Sequence, residues 1–156
     1  MAAVVLALAG MSVASAAQAE DPVRTWRVVV RSSDSLMLVD PASGGHAGGY
    51  SQATLVVALR DPTNGPDGAA SPYLVVRFEA DCATRRRHEL SVDYVGEDLS
   101  VRSHDAEPGP WMPSDPGSNG DYLMTGVCDL AAGRPAEMIS GTLSELRADY
   151  VSDFKN

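Results

Sequence analysis

Cysteine is scarce: the 156 residues contain two. Two thiolates cannot supply a structural zinc site of the ribbon or finger type. Positive charge is also thin, with 12 Lys and Arg against 21 Asp and Glu and a formal net charge of −9. That balance excludes a general affinity for nucleic acid or anionic membrane, because both require a cationic face. No G-x-S-x-G, phosphate-loop, H-E-x-x-H or dinucleotide fingerprint occurs. Neither His46, His88 nor His104 lies two or four residues from another, so no local metal pair exists. Without such clusters the chain reads as a non-enzyme that needs no cofactor and no metal. Disorder is excluded as well, since hydrophobic residues make up 44% and charged residues 21%.

What is present begins with an uncharged stretch, Met1 to Ala19, whose apolar part opens at Val4 and runs to Val13. It is shorter than the roughly 20 residues of a spanning helix. It ends in Ala17-Gln18-Ala19, an A-x-A cleavage signature ahead of Glu20, although it lacks the leading Lys or Arg usual in secretory signals. The expectation is export, with cleavage between Ala19 and Glu20. No Cys follows at the position where a lipoprotein would be acylated, so the mature chain is expected to be unanchored and without a membrane span. In an oxidising compartment the two cysteines, Cys82 and Cys128, most simply form one disulfide. Glu20 to Asn156 has the length of a single domain.

Along that domain six segments are β-branched, aromatic or alternating in the manner of strands: 25–31, 36–39, 50–59, 73–82, 88–95 and 99–103. Val76, Phe78, Ala80 and Cys82 share one face and Arg77, Glu79 and Asp81 the other, the pattern of a sheet with one wet side. Leu90, Val92 and Tyr94 form the core set of the fifth segment. Residues 41–49 read as a Gly/Ser loop around His46, and 61–72, with three Pro and two Gly, as a hairpin tip that continues no element. Residues 104–118 form a Pro-rich loop needing Trp111 as its anchor. Asp115-Pro116 predicts the start of a short helix carrying Tyr122, Leu123, Val127 and Cys128. Ile139, Leu143, Leu146, Tyr150 and Phe154 recur at helical spacing and predict an amphipathic helix over 136–155. Gly141 weakens its first turn and moves the start toward Thr142. The fold class expected is α+β, a six-stranded, mainly antiparallel sheet followed by helix, with the disulfide clamping the short helix to the end of the fourth strand.

Arg85-Arg86-Arg87 is the one dense basic run. It reads either as a docking patch for an acidic partner or sulfated glycan, or as a solvated turn paired with Glu79, Asp81 or Glu89.

The ordered segments resemble the bacterial surface-adhesin protein E family. The resemblance rests on Trp26, Val39-Asp40-Pro41-Ala42-Ser43, Phe78-Glu79-Ala80-Asp81-Cys82 with the Arg run behind it, and Tyr94. Its most distinctive part is Pro108-Gly109-Pro110-Trp111-Met112-Pro113, then Pro116-Gly117-Ser118 and Cys128. It covers 25–128 and leaves the segment after 128 as an addition. It implies a six-stranded antiparallel sheet with a C-terminal helix tethered by a disulfide, a possible homodimer, and binding to host matrix proteins such as vitronectin or laminin. Three functions compete. The first is a secreted or cell-surface adhesin, the second a periplasmic envelope interaction protein with no adhesin role, the third a small hydrolase or inhibitor on the same sheet.

Overall fold

The computed structural model describes residues 20–154. Ala19, and with it the expected cleavage signature, lies outside the described residues. The strands are β1 (Arg24–Arg31), β2 (Ser35–Val39), β3 (Gly45–Ala47), β4 (Tyr50–Asn64), β5 (Ala70–Asp81), β6 (Arg86–Val95), β7 (Val101–Asp105), β8 (Met112–Pro113) and β9 (Met138–Gly141). Helix α1 spans Asn119–Ala131 and α2 spans Leu143–Asp153. All strand pairs are antiparallel, and the main path runs β7-β6-β5-β4-β2-β1-β9, with β3 beside β4 and β8 beside β6.

The sheet thus has nine strands rather than six among the described residues. The additions have local causes. Gly48 and Gly49 both take positive φ, 59° and 87°, and make a two-residue turn that folds β3 back onto β4. The Pro-rich segment does not end its strands. Pro62 and Pro72 fall in a stretch where the β4–β5 register slips, between Ala58 and Thr63, so pairing resumes beyond them. β8 is a two-residue contact of the Trp111 loop with β6.

The expectation of one wet face is corrected at the sheet centre, where Leu55, Val56, Val57 and Ala58 are all buried. Leu55 and Val57 join Val39, Val76, Phe78 and Ala80 under Leu123, Met124 and Val127 of α1. Val56 and Ala58 join Trp26, Leu36, Leu38 and Tyr73 under Tyr150 of α2. Each helix therefore covers one side of the sheet. α1 approaches β1 closely: a Cβ built on Gly126 would lie 2.9 Å from Val29 Cγ2.

Helix α1 starts later than the spacing predicts, whereas α2 is capped at Thr142, where Gly141 moves its start. Ser118, not Asp115, caps α1 by accepting from the Asp121 amide at 3.1 Å, because Gly117 at φ 76° breaks the run from Pro116. Over 136–155 a strand precedes the helix. Ile139 pairs with Trp26 across β9 and β1, and Thr142 and Glu145 close a capping box that opens α2. Ile139 packs on the same cluster as Leu143 and Leu146, which is why its spacing imitates helix.

Asp21 ties the N-terminal segment to α2, accepting from the Leu143 and Ser144 amides at 2.9 and 3.0 Å. Partial burial raises its pKa, but the hydrogen bonds from Ser144, Leu143 and Thr142 outweigh it and hold the carboxyl below 3.8. Its charge therefore stabilises the fold above that value, and the gain is lost as pH falls through the lowered pKa. Asp21→Asn leaves one acceptor oxygen for two amide donors and removes the charge, and is expected to cost about 1 kcal/mol at pH 7. Urea unfolding at pH 7 and at pH 3 should show the difference from the parent protein shrinking in acid.

Candidate functional site

The bridge expected between Cys82 and Cys128 is formed, with a Cα–Cα distance of 5.7 Å. It joins the residue after β5 to the last turns of α1, and so fixes α1 over β1, β4 and β5.

The basic run lies in the hairpin between β5 and β6, and its three side chains diverge. Arg85, at φ 53°, reaches across to α1, where it meets the Asp121 carboxylate and donates to Thr125 Oγ1 at 3.1 Å. The Gly117 amide and then Arg85 hold Asp121 below the ordinary carboxylate range. Arg86 donates to the Trp111 carbonyl oxygen at 3.3 Å. Arg87 donates from Nη1 to Glu89 at 3.1 Å. Of the three acids foreseen as partners of the run, Glu89 is taken by a hydrogen bond, and Asp81 faces Arg86 across the β5–β6 ladder. Asp81 instead accepts from the Thr84 hydroxyl at 2.6 Å, which with the Thr84 amide lowers its pKa.

Trp111 does anchor the Pro-rich loop. Its ring lies 4.8 Å from Tyr50 and 5.0 Å from His88. His88 Nδ1 stands 3.5 Å from Glu79, and His104 pairs with Asp93. His46 is exposed on β3. Among the described residues no three His, Cys, Asp or Glu side chains converge as metal ligands.

Sequence alternation missed one feature. Arg77 pairs with Ser91 and Phe78 with Glu89, so Leu90 is an extra residue in β6. The bulge inverts the alternation. Leu90 leaves the face of Val92 and Tyr94 and lines a hollow with Thr54 and Arg77. Arg87 and Glu89 move onto the face of Val92 and Tyr94 and border an apolar trough. The trough lies beside the first turn of α1, over β4, β5 and β6, and its volume is about 380 Å³. Its floor includes Leu55, Val57, Leu74 and Val76. At the other end the β4–β5 tip closes on Tyr94, where a Cβ built on Gly65 would lie 3.1 Å from the ring.

The surface-adhesin protein E family model matches residues 26–129. The chain belongs to that family. The match starts at Trp26 in β1 and ends one residue past Cys128, so it contains the bridge, the Trp111 loop and α1 as far as Asp129. β9 and α2 follow it. No curated protein and no solved structure matches the chain. Among the described residues no helix is long and apolar enough to cross a membrane.

Proposed function

We propose that this surface-adhesin E family protein is an exported, non-enzymatic binding module, freed by cleavage between Ala19 and Glu20, that engages a host matrix protein of the vitronectin or laminin type. The family match over 26–129 carries the reading. The bridge supports it, since a disulfide suits an oxidising compartment outside the cytoplasm. The contact surface proposed is the β5–β6 hairpin with the Trp111 loop beside it. Arg86 is its cation best placed for a partner's acid, because Arg85 and Arg87 are engaged with Asp121 and Glu89.

Protease added to intact cells is expected to digest the protein. Protection until the outer envelope is permeabilised would overturn the adhesin reading and leave an envelope interaction protein. On immobilised vitronectin and laminin, Arg86→Glu is expected to slow association and flatten its salt dependence, as the loss of a rim cation does. An unchanged salt dependence would remove the hairpin from the contact surface.

A further inference from the structure

The trough beside α1 has the attributes of a small-molecule site. Its volume of about 380 Å³ falls within the roughly 300–1,000 Å³ of such sites, and its floor is apolar. Two charged side chains border it, Arg87 and Glu89. Their ion pair is unequal. The Arg87 side chain is 20% exposed, whereas that of Glu89 is 46% exposed and therefore the more easily displaced partner. Glu89 takes Nη1 of the guanidinium, while Nε is enclosed and has no hydrogen-bond partner. A guanidinium fork matches a carboxylate in geometry and charge. The Glu89 carboxylate thus marks where another carboxylate would fit, at the rim of an apolar trough.

We infer that the trough binds one free fatty acid. The acyl chain lies along Leu55, Val57, Leu74 and Val76, and the head group takes the place of Glu89 on Arg87. The inference does not depend on a matrix partner. The bulge at Leu90 is what makes the site, because regular alternation would put Arg87 on the opposite face from the apolar floor.

The test is calorimetric titration of the purified full chain with octanoate, decanoate and dodecanoate below their micelle concentrations. Affinity is expected to rise about fourfold per methylene until the trough is full. Arg87→Gln is expected to weaken every ligand by about tenfold or more while keeping the chain-length slope. Glu89→Gln, which frees the guanidinium, is expected to tighten binding. Leu74→Trp, at a half-buried floor position, is expected to block binding while leaving the thermal transition in place. The inference is overturned if affinity ignores chain length, if dodecylammonium binds as well as dodecanoate, or if Glu89→Gln weakens binding. Association with phosphatidylglycerol vesicles alone, without uptake of the free acids, would also overturn it.

Discussion

Replacing both bridge cysteines, Cys82→Ser with Cys128→Ser, is expected to lower stability by about 4 kcal/mol, the loop-entropy value for a sequence separation of 46. Urea unfolding without reductant measures it, and reductant added to the parent protein should reproduce the loss. The magnitude is large because the bridge closes a long segment that includes β6, β7, the Trp111 loop and most of α1. The native side is already well packed: Met124 is 0% and Val127 1% exposed. Those contacts survive the substitution, so the variant is expected to fold, and the cost falls on an unfolded chain set free to expand. A loss below about 1 kcal/mol would mean that the unfolded ensemble keeps α1 near β5 without the bridge.

The opposite face has no covalent fastening, and there Tyr150→Ala is expected to cost about 3–5 kcal/mol, as for a buried aromatic ring cut to a methyl. Tyr150 is fully enclosed within the cluster of Trp26, Leu36, Leu38 and Tyr73, and its hydroxyl donates to the Ser32 carbonyl oxygen at 3.1 Å. Tyr150→Phe keeps the ring and removes the hydroxyl, with an expected cost of about 1 kcal/mol. The pair separates packing from hydrogen bonding by the same denaturation measurement. Equal losses in the two variants would show that the hydroxyl, and not the ring, holds α2. The trough lies on the other face of the sheet, beside α1, so Tyr150→Phe is expected to leave fatty-acid binding unchanged.

The strands with strong β-branched content were legible in the sequence, as was the pairing of the two cysteines. Leu55 to Ala58 shows why the second covered face was not. An unbroken apolar run signals burial on both sides, but nothing in it says which later segment supplies the second cover. Gly48-Gly49 is a tight-turn signal with a strand partner only three residues long, below the length at which alternation can be read. Ile139 kept helical spacing with Leu143 because two different elements reach one cluster. The candidate site was the least legible part. The Arg run was visible, but the bulge at Leu90 that assigns Arg87 to the apolar face depends on cross-strand register, which no local pattern encodes.

The pairing of β9 with β1 has a consequence for the chain's behaviour before it is complete. On its outer edge β1 pairs Arg24 to Arg27 with residues 138–141, near the far end of the sequence. Until those residues arrive, β1 presents an open row of amides and carbonyls, with Trp26 beside it lacking its cover. Such a border recruits other chains. A chain stopped at Asp129, where the family match ends, would lack β9, α2 and the last two residues of α1, and is expected to self-associate through that border. The segment after Asp129 covers that border with a strand of four residues, itself too short to be a good template.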